Sequence, residues 1–225
     1  MKFTGSLAIL GAAMLLMAAD RFDHKVRNDF FAGMMGNREA LERGMQVCEE
    51  ILAANPKHAE ALVWHGGGLF FQSGLLFRQG DVAKAMPLFE RGVKEMDEAV
   101  ALAPDHIGVR VPRGATLISA TRAISRPEVS RPLLEKGVSD FEAVYEMQKA
   151  DLDKLGDHPR GELLMGLADG HHRLGNEQKA RFYFEKLLAA GKGSGHEAEA
   201  REWLATKTLS KPVQCVGCHV PSKRE

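Results

Sequence analysis

The chain has few of the residues that build β-sheets and no surplus of the charge that binds nucleic acid. It holds two Trp and two Tyr among 225 residues, and little clustering of β-branched residues, which argues against a sheet protein. Lys and Arg together number 30, as do Asp and Glu, whereas proteins that bind nucleic acid usually carry a basic surplus. Ala, Leu, Glu, Lys and Arg, which are good helix formers, are abundant. We therefore expect one all-α domain without a nucleic-acid partner.

Residues 1–19 differ from the rest of the chain. Lys2 is their only charge, a largely apolar run extends from Phe3 to Ala19, and charges resume at Asp20. This order is typical of an export signal, so we expect a periplasmic or other extracytoplasmic location. Two outcomes stay open. The segment is either a cleaved signal peptide or an uncleaved anchor, whose residues 3–19 contact the membrane and are near the short limit for spanning it.

Cysteine is scarce, and its three copies fall into two groups. Cys48 stands alone in a helical pattern, whereas Cys215 and Cys218 are three positions apart near the C-terminus. An isolated cysteine in such a pattern is most simply a small buried apolar residue. We expect that role for Cys48.

Three segments of the chain repeat a short pattern. In each segment, a glycine lies eight residues after a histidine. The three histidines are 48 and then 52 residues apart. The pairs are His58 with Gly66, His106 with Gly114, and His158 with Gly166. A period of this size indicates two-helix units in an array, because one helix hairpin cannot bury its apolar face alone.

The last unit has a characteristic order of large and small side chains around a Gly175-Asn176 turn. Its residues are Leu164, Leu167-Ala168 and His171 before the turn, then Ala180 and Phe184 after it. The first unit repeats the order with Trp64, Gly67-Gly68, Phe71, Gly80-Asp81, Ala85, Phe89 and Pro104. In the middle unit only Gly137 and Phe141 are similar. This pattern resembles the tetratricopeptide-repeat (TPR) family over roughly residues 38–207.

The resemblance implies a short right-handed α-solenoid of TPR-like helix hairpins. Extra residues before Gly80 and after Phe89 depart from the family and indicate elongated helices. Residues 196–207 form an amphipathic pattern, for which we expect a C-terminal capping helix with Trp203 and Leu204 facing inward. This repeat domain is predicted to span residues 20–209. A plain helical bundle is the alternative, and the internal repeat argues against it.

In TPR proteins the exposed side of each first helix lines an inner groove that binds a peptide or a protein partner. The resemblance assigns to this groove Leu62, His65, Leu69, Gln72, Arg110, Arg113, Leu117, Glu162, Met165, Asp169 and His172. The alternative is that most of them are simply solvated helix positions. His171 falls at a core position instead, and we expect it to be buried.

The tail, residues 210–225, contains the sequence Cys215-Val216-Gly217-Cys218-His219. C-x-x-C-H is the c-type haem attachment sequence, in which the thiols bind one porphyrin edge and the histidine is an axial ligand of the iron. A zinc site would need a second pair of ligands, a redox dithiol expects a βαβ setting, and a disulfide leaves His219 without a role. The sequence predicts one covalent haem c.

Only six residues follow His219, so a second axial ligand comes from the repeat domain or there is none. The groove offers His172, His65 and Met165 as candidates, with Arg110 and Arg113 as partners of the haem propionates. We expect a monohaem c-type protein that transfers single electrons, while its repeats dock a protein partner such as a membrane redox complex. No spacing indicates a nucleophile or general base, so we do not expect an enzyme. The alternative is a TPR scaffold without a redox role.

Overall fold

The described part of the chain is helical. A computed structural model describes residues 21–190, 192 and 195–210, and no β-strand occurs among them. The all-α prediction is confirmed. The helices are α1 (Asp23–Met34), α2 (Arg38–Ala54), α3 (Ala59–Arg78), α4 (Val82–Leu102), α5 (Ile107–Ala120), α6 (Pro127–Gln148), α7 (Asp157–Arg173), α8 (Glu177–Ala190) and α9 (Glu197–Thr206), with a 3₁₀ helix at Lys149–Lys154.

Both turns predicted from glycine are confirmed. Gly80 follows α3 with a φ of 81°, and Gly175 follows α7 with a φ of 80°, a left-handed backbone that glycine adopts at no steric cost. Asp81 then begins α4 by accepting a hydrogen bond from a backbone N–H of its first turn at 3.2 Å. Asn37 and His58 cap α2 and α3 in the same way, so polar side chains define where these helices start.

Helices that are neighbours in sequence pack together. α1 packs with α2, α3 with α4, α5 with α6, α7 with α8, and α9 with α8. The first helix of each pair also contacts the first helix of the next pair, so that α3 lies between α1 and α5. The second helix of each pair contacts the first helix of the next. Of the described helices, α3 and α5 therefore have the most neighbours.

Three consecutive glycines let α3 pack closely on several neighbours. A Cβ atom on Gly66 would lie 2.7 Å from the carbonyl oxygen of Gly92 in α4. One on Gly68 would overlap Met45 of α2, whereas Gly67 faces Thr116 of α5. Because successive residues of a helix point in different directions, the three glycines serve three interfaces. α3 is consequently buried on nearly all sides along residues 61–70.

The aligned glycines of the three repeats do not all make the same contact. Gly66 faces Gly92 in the second helix of its own pair, whereas Gly114 faces the ring of Phe141 in α6 and, beyond it, Gly137. Gly166 faces the same Phe141 ring, which for this unit belongs to the preceding pair. The third segment therefore packs differently, although its glycine aligns in sequence.

Two clusters of buried apolar side chains fill the fold, one mainly between α1 and α4 and the other mainly between α6 and α9. Cys48 belongs to the first cluster and is completely buried, as predicted. The terminal helix predicted at residues 196–207 is confirmed as α9. Its Trp203 is completely buried and stacks on Phe184 of α8, with ring centroids 4.6 Å apart, while Leu204 is half-buried against the same cluster.

The N-terminal segment predicted to direct export, residues 1–19, lies outside the described residues. Its cleavage and its contact with the membrane stay predictions. Among residues 21–190 and 195–210, no helix combines the length and the apolar character that crossing a bilayer requires.

Candidate functional site

The tail is described as far as Ser210. The predicted haem-binding residues Cys215, Cys218 and His219 lie outside the described residues. The backbone N–H of Ser210 donates to Oε1 of Glu202 in α9 at 2.8 Å, and its hydroxyl donates to Oε2 at 3.1 Å. The chain that leads to the C-x-x-C-H sequence therefore starts from a point held against α9.

His172 is the candidate axial ligand that contacts α9. It lies at the C-terminal end of α7, is half-buried, and meets Trp203 edge-on, with ring centroids 5.7 Å apart. Trp203 directly follows Glu202, the residue that holds Ser210. No hydrogen bond or ion pair joins the His172 ring nitrogens to another described residue.

His65 is buried and its ring nitrogens face carboxylates. Only 1% of the residue is exposed. Nδ1 donates to Oε2 of Glu95 at 2.5 Å, and Nε2 lies 3.5 Å from Oε1 of Glu49. Burial alone would raise the pKa of Glu95, but the hydrogen bonds and charges of His65 and Arg91 outweigh it and hold that pKa below its ordinary value. The ionised Glu95 therefore holds His65 within the fold.

Met165 is buried as well. Only 1% of it is exposed, and its side chain belongs to the apolar cluster between α6 and α9. A thioether in such a position fills space in the core. Of the three candidate ligands, His172 is the one that the structure leaves partly exposed.

The predicted groove lining is wrong for most of its residues, because α3, α5 and α7 are packed on several sides. Leu62, His65, Leu69, Arg113, Leu117, Met165 and Asp169 are buried. Gln72, Arg110, Glu162 and His172 are half-buried. The alternative interpretation, that these positions are solvated, does not hold for the buried residues either. Small residues such as Gly68 let neighbouring helices cover faces that sequence alone assigns to a groove.

Arg110 and Arg113, the predicted partners of the haem propionates, are paired with carboxylates inside the fold. Arg110 Nη1 donates to Asp140 Oδ1 at 2.9 Å, and Arg113 binds the same carboxylate through two nitrogens. Arg113 Nη1 also donates to Asp97 at 2.8 Å, to which Lys136 donates at 2.5 Å. This network joins α4, α5 and α6. Both guanidinium groups therefore have a structural role between helices.

A second network, which the sequence interpretation does not foresee, ties the end of α5 to the end of α7. Asp169 is buried, forms an ion pair with Arg122, and lies 3.6 Å from Arg173. Arg173 also donates to the carbonyl oxygen of Ile118 and to the hydroxyl of Thr121, each at 2.7 Å. The spacing of Asp169 and Arg173, four residues apart on one helix, is the signal in the sequence that points to part of it.

His171 is buried, as predicted from its core position. Its ring stacks on Tyr183 with centroids 5.7 Å apart, and Nε2 lies 3.1 Å from Oε1 of Glu142. Burial lowers the pKa of His171 and outweighs the opposite effect of Glu142. Burial, with Glu142 nearby, also raises the pKa of Tyr183 to about 12. Both residues are therefore neutral core groups at neutral pH.

The end of α7 borders open space. A cavity of about 350 Å³ lies between the start of α6 and the end of α7, where Arg173 and Leu174 form part of its lining. In the part of the chain that the structure describes, no group of three or more His, Cys, Asp or Glu side chains is arranged to hold a metal ion.

Comparisons with protein families, with curated proteins and with solved structures found no match to this chain. The candidate site therefore depends on the chain's own residues. Its predicted residues are the C-x-x-C-H sequence, which lies outside the described residues, and the half-buried His172.

Proposed function

We propose that this chain is an exported monohaem c-type protein that transfers single electrons. Cys215 and Cys218 bind one haem c covalently, and His219 is an axial ligand of its iron. The observation that carries the proposal is the C-x-x-C-H sequence, which has the spacing that haem attachment requires. The haem supplies reversible one-electron chemistry, and its axial ligands and burial tune the potential.

The burial of Cys48 is consistent with haem attachment at the other two cysteines. The residue is completely buried and free, and burial raises the pKa of its thiol to about 12, with smaller contributions from Glu49 and Glu95. Since the thiolate is the reactive form of cysteine, Cys48 does not compete with the tail for haem.

We also propose that the helices form a short right-handed solenoid of TPR-like hairpins with elongated helices, which docks a protein partner such as a membrane redox complex. Contacts between successive first helices support a stacked array of this kind. Residues 1–19 direct export to the periplasm or another extracytoplasmic location, as a cleaved signal or as an anchor. The proposal includes no enzyme activity.

Covalent haem is the decisive test. The full-length chain is expressed in a host that matures c-type cytochromes, then denatured and examined by its pyridine haemochrome spectrum and by a haem-stained gel. We expect one haem per chain, its loss in the C215A/C218A variant, and its retention in C48A, the matched control. A chain without covalent haem in such a host would contradict the proposal.

The same variants separate the redox role from the alternative, a TPR scaffold that only binds proteins. If electron transfer is the function, cells that carry C215A/C218A show the phenotype of cells that lack the protein. Full function of that variant, together with capture of the same partner, would support the scaffold instead.

A further inference from the structure

We propose that the tip of the α3–α4 hairpin docks on the surface of a membrane that contains anionic phospholipids. The tip is residues 75–84, which include the last turn of α3 and the first turn of α4. Docking of this kind goes beyond the proposed function and does not depend on haem. Three features of the tip support it: it projects beyond its neighbours, it exposes apolar side chains, and it belongs to the basic edge of the fold.

The tip projects beyond the helices on either side. Short turns reverse the chain between successive helices, so α1, α3 and α5 run in the same direction. Phe30 of α1 lies beside Gly68 of α3, and α1 ends four residues after Phe30 whereas α3 continues for ten residues after Gly68. Thr116 of α5 lies beside Gly67, with four residues left in α5 and eleven in α3. At 1.5 Å per residue, the turn after α3 stands roughly 10 Å beyond the ends of α1 and α5.

Apolar side chains are exposed at the tip and in the turn beside it. Val82 at the tip is 55% exposed and Met35 in the α1–α2 turn is 57% exposed, and these are the two most exposed large apolar residues of the described part. Leu75, Leu76 and Phe77 are half-buried and, being consecutive, point to different sides of α3. None of the five belongs to either buried cluster. Apolar side chains presented in this way can enter the interface of a bilayer.

The edge of the fold that carries the tip is basic. Its turns are residues 35–39, 77–84, 121–131 and 172–179, and those of the opposite edge are residues 54–60, 98–107 and 146–160. The turns beside the tip contain eight Lys or Arg and four Asp or Glu, whereas the opposite turns contain four Lys or Arg and seven Asp or Glu. Anionic headgroups therefore attract the edge with the tip and repel the other.

Three arginines of the basic edge are placed to bind headgroups. Arg78 at the tip and Arg38 and Arg126 in the flanking turns are exposed, and their side chains form no ion pair or hydrogen bond with another described residue. Apolar groups of interfacial proteins are buried roughly 5–10 Å below the headgroups, which matches the projection of the tip. With Val82 in the interface, Arg38 and Arg126 are therefore at the depth of the phosphates. A fluid interface accepts such a projection, whereas a folded partner would need a cavity of matching shape.

The test compares the V82W and I107W variants of the full-length chain by tryptophan fluorescence. Ile107 is the matched control, because it is also β-branched and begins a helix, α5, with 37% exposure, but lies at the acidic edge. Vesicles contain phosphatidylcholine with or without phosphatidylglycerol, and either ordinary or brominated acyl chains. Bromine quenches a tryptophan that enters the bilayer, and the native Trp64 and Trp203 are buried in the protein.

We expect brominated vesicles with phosphatidylglycerol to lower the emission of V82W and to leave that of I107W unchanged. Residues 1–19 are identical in the two variants, so a membrane contact of that segment cannot produce the difference. Adding R78A and R126A to V82W should raise the lipid concentration needed for half-maximal quenching roughly thirty-fold. Adding K57A, which removes a cation of the opposite edge, should leave it unchanged.

Equal quenching of V82W and I107W, or an unchanged lipid requirement after loss of the two arginines, contradicts the proposal. Absence of quenching in V82W overturns it as well. In that case an emission that shifts with protein concentration shows a second copy of the chain on the tip, and a constant emission points to a different protein. None of these measurements depends on covalent haem, so their failure leaves the proposed function standing.

Discussion

Arg113 binds Asp140 through two nitrogens of its guanidinium group, with Nε 2.6 Å from Oδ2 and Nη2 2.8 Å from Oδ1. Asp140 is completely buried, and Arg110 donates to the same carboxylate. Such paired contacts are among the stronger hydrogen bonds in proteins. This pair joins α5 to α6, and removing one of its members takes away a buried charge that the other depends on.

We therefore expect the D140N variant to be strongly destabilised. Replacing the carboxylate removes the buried countercharge that Arg110 and Arg113 share and leaves Arg113 paired with the half-exposed Asp97 alone, so it should lower the free energy of unfolding by about 3–5 kcal/mol. The measurement is urea-induced unfolding followed by circular dichroism.

The matched control is E135Q, which breaks the pair that Glu135 forms with Arg131 at 3.0 Å within α6, where both side chains are more than half exposed. It should change the free energy of unfolding by less than about 0.5 kcal/mol. Equal effects of D140N and E135Q would show that the buried network does not stabilise the fold.

The close contact between α3 and α4 makes a second prediction. A Cβ atom on Gly92 would lie 2.7 Å from the carbonyl oxygen of Gly66 and 2.9 Å from the backbone nitrogen of Phe70. Since backbone atoms cannot move aside as a side chain can, G92A should lower the free energy of unfolding by about 1–3 kcal/mol.

Gly74 provides the control on the other helix of the pair. Its Cβ atom would meet only the end of the Arg78 side chain, at 3.8 Å, and alanine is favoured over glycine in helices by about 1 kcal/mol. G74A should be neutral or stabilising in the same unfolding experiment. Destabilisation by G74A as large as that by G92A would argue against the close contact as the cause.

Cys48 should be protected from thiol reagents in the folded protein. Its pKa is raised from 9.0 to about 12, mainly by burial, so the unfolded chain loses this proton at a lower pH than the folded one. Stability should fall as the pH rises above 9.0, and C48A should lack this part of the decline. In the C215A/C218A background, labelling with a thiol reagent before and after adding urea tests the protection. Rapid labelling without urea would contradict it.

His171 makes stability depend on pH in the opposite direction. Burial lowers its pKa from the ordinary value of 6.5, so below that pH the unfolded chain binds a proton that the folded chain does not. Stability contributed by neutral His171 should be lost as the pH falls through 6.5. The urea midpoint of H171Q should change less with pH over this range than that of the wild type. An identical slope in H171Q and the wild type would refute the assignment.

The all-α fold, the turns at Gly80 and Gly175 and the terminal helix were predictable because each depends on local chemistry. Helix formers set the class, glycine supplies the left-handed turn, and the spacing around Trp203 indicates an amphipathic helix. The sequence places residues 23–34 within the helical domain but assigns no particular helix to them, and α1 was found only in the structure. Its short apolar stripe, Val26 and Phe30, is too weak to predict a helix alone. The helix is stabilised when α2 and α3 pack against this stripe.

The candidate site was harder to predict than the fold. Exposure of His65, Met165 and Arg113 depends on how many helices surround α3, α5 and α7, and this number is not encoded in the residues themselves. The partner of Arg113 is 27 residues away in the chain, and no spacing rule links the two. The C-x-x-C-H sequence, by contrast, carries its chemistry in adjacent residues and needs no tertiary contact to be recognised.

The run Gly66-Gly67-Gly68 also bears on the order in which the protein folds. Each glycine lowers the intrinsic helix propensity by roughly 1 kcal/mol relative to alanine, so the middle of α3 is a weak helix in isolation. Gly66 packs closely on α4, Gly68 packs closely on α1 and α2, and Gly67 contacts α5. These contacts exist only once the neighbouring helices have assembled. Unfolding of the N-terminal half should therefore be cooperative, with α3 losing its backbone protection together with its neighbours rather than hairpin by hairpin.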